Sequence, residues 1–120
     1  MVSNFALSSF ITNVREILRD TDSTRYHYTD MQILLGMVDG FRRLFGVRPE
    51  SRYVGGVLTD VAFPETENEL KAFTVSVEER WRLGIVYFAA SRCYEIDVTD
   101  TVNMQLSQQY RQMADATFAS

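Results

Sequence analysis

The stretch TDMQILLGMVDGFRRLFG, residues 29–46, carries the strongest helical pattern of the chain. Its start has the form of a capping box, with the hydroxyl of Thr29 before the helix and Gln32 three residues later. Apolar residues then recur at helical spacing, at Leu34, Met37, Val38, Phe41, Leu44 and Phe45. The pattern predicts an amphipathic helix that ends near Gly46, ahead of Pro49.

Two glycines, Gly36 and Gly40, lie four residues apart within this predicted helix. Each costs about 1 kcal/mol relative to alanine in a helix interior. Two interpretations remain open. Either the pair allows a neighbouring helix to approach closely, or it only weakens the helix slightly.

Three further helices are predicted on either side of this element. The first spans residues 8–20, where Phe10, Val14, Ile17 and Leu18 form one apolar stripe. The third is expected to begin at Ser76, where residues 76–79 have the capping-box pattern. This helix is apolar around much of its circumference, which predicts a central position in the bundle. A fourth follows from Thr101, with Asp100 as its N-cap. The predicted fold is therefore mainly α, a four-helix bundle in one domain of residues 1–120.

Residues 48–75 are predicted to be a β-hairpin or extended arm, inserted between the second and third helices. Gly55 and Gly56 permit a tight turn between two short β-prone stretches. The arm can cover its own bundle or reach a neighbouring subunit, and both interpretations remain open. The candidate interface residues of the arm are Arg48, Arg52, Tyr53, Val54, Val57, Leu58, Val61, Phe63 and Phe73. The acidic residues expected on an exposed loop or a channel lining are Glu65, Glu67 and Glu69.

Composition narrows the possible functions. A chain of 120 residues with 46% hydrophobic residues can bury its own core. The net charge is −4 and the basic residues are scattered, so no patch that grips nucleic acid is expected. No stretch approaches the roughly 20 apolar residues of a membrane span, and no signal peptide is expected at the N-terminus.

The inventory of reactive side chains is small, which predicts a protein without catalytic activity, metal or cofactor. His27 is the single histidine, and it precedes a helix cap, where a surface or capping role is expected. Cys93 is the single cysteine and lies among apolar residues of a predicted helix, which indicates a buried structural thiol. No second histidine completes a zinc motif, and DTDST at residues 20–24 lacks the glycine and the distal glutamate of a calcium loop.

Three motifs follow one another in the first half of the chain. VREILRD closes the first predicted helix at residues 14–20, YTD opens the second at 28–30, and RPES follows it at 48–51. In this combination the chain resembles the head-to-tail adaptor, or connector, proteins of tailed bacteriophages. Residues 37–40 read MVDG, where those proteins tend to carry an Asn-Asp or Asn-Glu pair. The second half of the chain is similar to them in plan only, with a β-rich insertion followed by two helices.

The resemblance implies a structural virion protein, made in the host cytoplasm and located at the head–tail junction. Such adaptors form a ring, usually of twelve copies, beneath the portal protein. The ring extends the DNA channel and offers a platform to tail or nozzle proteins, with no specific DNA binding and no membrane contact. The arm would then contact the next subunit or the portal. The alternative function is a small helical protein-interaction or regulatory module without catalytic activity.

Overall fold

The computed structural model describes residues 2–54, 57–58, 61–96 and 101–120, and within them the chain is mainly helical. The helices are α1 (Ser8–Leu18), α2 (Asp30–Val47), α3 (Glu67–Ala72), α4 (Arg82–Ile96) and α5 (Thr101–Ala119). The strands are β1 (Val2–Ala6), β2 (Tyr53–Val54), β3 (Val57–Leu58) and β4 (Thr74–Glu78). Short 3₁₀ turns at Pro49–Arg52 and Glu79–Trp81 follow α2 and β4.

The predicted capping box at the start of α2 is confirmed. The hydroxyl of Thr29 accepts a hydrogen bond from the backbone N–H of Gln32 at 3.1 Å, and the Gln32 side chain accepts one from the Thr29 N–H at 2.9 Å. Both bonds satisfy donors that have no partner within the helix itself. At the other end, α2 continues one residue beyond Gly46, and the N–H of Arg48 donates to the Leu44 carbonyl at 2.7 Å.

α4 contacts α1, α2 and α5, so it is the central helix that its apolar sequence predicted. Gly36 and Gly40 form the surface of α2 that faces it. A Cβ atom at Gly36 would lie 3.1 Å from the Ala89 backbone, and one at Gly40 would lie 3.2 Å from the Cβ of Phe88. These distances are tighter than ordinary contacts between side chains and backbone. Of the two interpretations of the glycine pair, the structure supports close helix approach.

The prediction that a helix begins at Ser76 is wrong. Residues 74–78 form β4, which pairs antiparallel with β1, and α4 begins only at Arg82. Val75 and Val77 are buried on either side of half-buried Ser76, and this alternation is the period of a strand with one buried face. Ser76 lies opposite Asn4 in the ladder, so its backbone groups serve a strand and not a helix cap. β1 was not anticipated from the sequence.

The core draws on every helix and on β4. Fully buried side chains include Trp81, Phe10, Phe41, Phe118, Leu34, Leu70 and Ile85. Phe118, near the end of α5, packs against Gly84 of α4, where a Cβ atom would lie 2.5 Å from the ring. The end of α5 is thereby joined to the same core as α2. No helix in the described part of the chain is long and apolar enough to cross a membrane.

Candidate functional site: the inserted arm and its anchors

The first residue of the arm, Arg48, is held by its own chain. Its guanidinium donates hydrogen bonds to the backbone carbonyls of Phe118, at 2.8 Å, and of Ala119 and Ser120. Phe118 and Ala119 belong to the last turn of α5 and Ser120 follows it directly. Backbone acceptors at a helix C-terminus lack intrahelical partners, and the helix dipole there favours a cation. Arg48 also pairs with Glu50 at 3.4 Å. Arg48 therefore anchors the arm to α5. The guanidinium that was expected at a subunit interface binds its own chain instead.

A short hairpin follows. Tyr53 pairs with Leu58 and Val54 with Val57 in an antiparallel two-stranded ladder. Neither β2 nor β3 pairs with a third strand among the described residues. The turn at Gly55-Gly56, and the side chains of the four paired residues, to which an interface role was assigned, lie outside the described part of the structure. Half-buried Arg52 precedes the hairpin in the 3₁₀ turn.

Residues 61–72, which we call the strap, run from the hairpin back to the body of the protein. Val61 and Phe63 are partly buried against the core, as is Phe73 immediately after the strap. The Phe63 ring lies 5.9 Å from that of Phe41 and 5.5 Å from that of Phe73. The N–H of Leu7 donates to the Phe73 carbonyl at 3.0 Å. These apolar residues, expected at an interface between subunits, contact their own chain.

The acidic part of the arm forms a helix as well as a loop. Glu65 is exposed at a bend, whereas Glu67 and Glu69 lie exposed on α3. Glu67 pairs with Lys71 at 3.5 Å. Lys71 forms a closer pair, 2.9 Å, with Asp30 at the start of α2. The contact between Lys71 and Asp30 joins the strap to the body, and no sequence motif indicated it.

Asp30 belongs to a hub of polar groups at the junction of α1 and α2. The Arg15 guanidinium donates to Asp20 at 2.9 Å, to Asp30 at 2.5 Å and to the Tyr28 carbonyl at 3.0 Å. The Asp20 carboxylate accepts hydrogen bonds from the backbone N–H groups of His27, at 2.8 Å, and of Tyr28, at 3.0 Å. Hydrogen bonds from Arg15 and Lys71 lower the pKa of Asp30. The hub closes the loop between the two helices, and it consists of residues from the first two sequence motifs.

A groove of about 420 Å³ lies between α2, α4 and the strap. Its apolar lining is Leu35, Val38, Phe63 and Pro64, and its charged lining is Asp39, Arg42, Glu65 and Arg92. Asp39 pairs with Arg92 at 3.2 Å and with Arg42 at 3.9 Å. Leu35 is half exposed at the groove, on the face of α2 that also carries half-buried Asp39 and exposed Arg42. A groove lined by apolar and charged side chains together resembles surfaces that bind another polypeptide, which combine an apolar centre with a polar rim.

The reactive residues do not form a catalytic group in the described structure. His27 is exposed, with its ring 4.6 Å from that of Tyr28. Cys93 is fully buried, and burial raises the pKa of its thiol to about 12, so the thiol is protonated at neutral pH. Among the described residues, no cluster of three or more histidine, cysteine, aspartate or glutamate side chains could hold a metal ion.

The contacts that hold residues 48–73 to the body have no signal in the sequence pattern of those residues. Arg48 was named as an interface residue, although its partners are the carbonyls at the end of α5, 70 residues away. Lys71 and Asp30 were not connected, because they lie in separate elements with no shared pattern. The one usable signal was the spacing from Arg15 to Asp20, which places a cation and an anion at the end of a helix.

Comparisons with protein-family models, with curated proteins and with solved structures found no match to the chain.

Proposed function

We propose that the chain is a structural virion protein, a head-to-tail adaptor that forms an oligomeric ring beneath the portal. The ring extends the DNA channel and provides a platform for the tail. In this proposal α1, α2, α4 and α5 are a four-helix bundle and residues 48–75 are its inserted arm. Neighbouring copies and the portal are the partners, and DNA passes without specific binding.

The observation that carries the proposal is the hub around Arg15. The motifs behind the resemblance to phage adaptors are separate in sequence, yet Arg15, Asp20, Tyr28 and Asp30 interact directly. A motif whose members depend on one another physically is harder to obtain by coincidence than the same residues scattered over a surface. The third motif contributes Arg48, which ties the arm to α5. The resemblance therefore rests on residues that hold one arrangement of helices and arm.

The hairpin supplies the contact that a ring requires. In a ring each subunit presents one surface to the next copy and a different surface to the previous one. A two-stranded ladder is marginal alone in water, and its outer edges offer unpaired backbone groups to another chain. β2 and β3 form such a ladder, with no third strand among the described residues. Since the strap packs on its own body, the hairpin is the part of the arm assigned to the neighbour or portal.

The test is to mix the purified chain with the portal protein of the genome that encodes it. The chain alone is expected to be monomeric or weakly associating by mass photometry. With portal present, negative-stain images are expected to contain closed rings, with the twelve copies that the resemblance to phage adaptors implies. A variant with residues 53–58 replaced by a Gly-Ser segment of equal length should fold, by circular dichroism, but form no rings. Absence of rings with the wild-type chain would overturn the proposal.

The groove favours a second candidate, a helical module that binds a partner polypeptide. Leu35 at the groove and Leu83 on α4 are equally exposed, at 50% and 51%, so they form a matched pair for substitution. If the groove binds a partner, Leu35→Asp should abolish capture of that partner from a host lysate, whereas Leu83→Asp should retain it. Equal capture by both variants would exclude the groove as the binding surface.

A further inference from the structure

The strap, residues 61–72, is attached to the body by very few contacts. Leu70 is its one fully buried residue, and Ala62, Ala72 and residues 65–69 are exposed. Within the described structure, no backbone hydrogen bond joins the strap to another element. Its helix, α3, has six residues, and Thr66 makes no side-chain cap. A helix of this length is not stable by itself in water, so its order depends on the side chains that face the body.

Only a few of those side chains hold the strap. Val61 and Phe63 are half-buried, Leu70 is buried, and Lys71 pairs with Asp30. The ion pair is about one-third exposed on both sides, at 33% and 32%. Water and salt screen a pair of this kind, and its contribution to stability is correspondingly small.

The strap and the hairpin before it lie between two firmly attached points. On the N-terminal side, ahead of the 3₁₀ turn and the hairpin, Arg48 binds the carbonyls at the end of α5. On the other side the Phe73 carbonyl accepts the N–H of Leu7, and β4 continues as a strand paired with β1. Movement of the strap would therefore end at these two anchors.

Asp30 allows the strap to detach without disturbing the hub. Its two carboxylate oxygens serve different partners, since Arg15 binds Oδ1 and Lys71 binds Oδ2. If Lys71 leaves, Arg15 keeps Asp30, Asp20 and the Tyr28 carbonyl as partners. The buried pair of Arg15 and Asp20 therefore keeps its hydrogen bonds. Opening breaks only the Lys71–Asp30 ion pair and the apolar contacts between the strap and the body.

We infer that the strap is a hinged segment that opens as a unit while α2 and α4 stay folded, with the Lys71–Asp30 pair as its latch. Segments with few buried contacts are the ones that open locally below the free energy of global unfolding. Opening would withdraw Phe63 from the Phe41 ring and would remove Phe63 and Pro64 from the lining of the groove. The inference does not require the proposed ring, since it concerns the isolated chain.

The test is hydrogen–deuterium exchange, followed by mass spectrometry, on the full chain. Peptides covering residues 66–73 are expected to exchange faster than those of α2 and α4. Lys71→Met should accelerate exchange of these peptides about two- to fivefold, as expected from loss of a partly exposed pair. α2 and α4 should be unchanged. Arg43→Met is the matched control, because it removes an exposed ion pair with Asp115 at 3.1 Å, away from the strap.

Salt provides a second measurement that needs no variant. Raising sodium chloride should accelerate strap exchange in the wild-type chain and have little effect in Lys71→Met, where the pair is already absent. Unchanged strap exchange in Lys71→Met would overturn the inference. Equal acceleration of the strap, α2 and α4 would also overturn it, since that pattern indicates global unfolding.

Discussion

Arg15 and Asp20, at the end of α1, form an ion pair of 2.9 Å from which solvent is almost excluded, with side chains 5% and 6% exposed. Arg15 reaches this pair from the last turn of α1, and Arg19 ends the helix in a left-handed conformation with φ of 55°. The reversal at Arg19 turns the chain so that the Asp20 carboxylate faces back toward Arg15. The loop to α2 is then closed by the backbone N–H groups of His27 and Tyr28, which both donate to Asp20.

Removal of the cation of this pair should destabilise the protein strongly. Arg15→Met is expected to lower the free energy of unfolding by roughly 3–5 kcal/mol, because Asp20 would remain buried without its cation. Asp20→Asn should cost less, because Arg15 keeps Asp30 as an anionic partner. Urea denaturation measures the loss. Arg43→Met, which removes the exposed pair with Asp115, should cost less than about 1 kcal/mol. Equal losses in the buried and exposed variants would contradict the buried hub.

Two glycines with opposite surroundings provide a matched pair of substitutions. Gly84→Ala should destabilise the protein by about 1–3 kcal/mol, because the new methyl group would meet the buried Phe118 ring. Gly46→Ala should stabilise it by up to about 1 kcal/mol, since no atom lies within 4 Å and alanine favours the helix. Urea midpoints of the two variants measure both changes. A gain of stability in Gly84→Ala would show that α5 does not pack on α4 as described.

Acid should weaken the attachment between strap and hub. Hydrogen bonds from Arg15 and then from Lys71 hold the pKa of Asp30 below its usual 3.8. A lowered carboxylate pKa stabilises the folded state above the unfolded-state value, and this stabilisation is lost as the pH falls through the folded-state pKa. The loss is therefore expected below about pH 4, as the usual aspartate value implies.

The measurement is the urea midpoint of the wild-type chain, of Asp30→Asn and of Asp22→Asn between acidic and neutral pH. Asp30→Asn should be less stable at neutral pH and should lose less on acidification. Asp22 is exposed and lies outside the hub, and hydrogen bonds from Thr24 lower its pKa. Asp22→Asn therefore serves as the control for the effect of removing a carboxylate elsewhere in the protein. Parallel curves for the wild-type chain and Asp30→Asn would contradict the contribution of Asp30.

The Cys93 thiol should be inert while the protein is folded. Burial raises its pKa to about 12, which lowers the thiolate fraction about a thousandfold relative to an ordinary thiol. Reaction with Ellman's reagent at pH 8 should therefore be slow in buffer and fast in denaturing guanidinium chloride. A native rate close to the denatured rate would mean that α4 opens readily at Cys93.

The helices could be predicted where the interactions are local. The capping box of Thr29 and Gln32 involves residues only three positions apart, so the sequence pattern is sufficient to predict both of its hydrogen bonds. α1 begins at Ser8 and α5 at Thr101, where apolar periodicity predicts them, but Leu7 at the N-cap of α1 makes no side-chain cap. The predicted N-cap of α5, Asp100, lies outside the described residues. A long segment with Gly-Gly and proline interrupts the helical pattern after α2, and the structure has 3₁₀, strand and short helical elements between α2 and α4.

The remaining features depend on contacts that no local pattern contains. Residues 76–79 match the sequence pattern of a capping box. In the structure, however, Val75 and Val77 are buried and their strand pairs with β1. Burial in the assembled fold therefore overrides the local helical preference. Arg48 and Lys71 could each have faced a neighbour. Their partners are the end of α5 and Asp30, because packing of α2 against α4 and α5 brings these distant groups within hydrogen-bonding distance. The local pattern thus determined α1, α2, α5 and the body of α4. The start of α4, the two paired strands before it and the residues that hold the arm were determined by packing in the assembled fold.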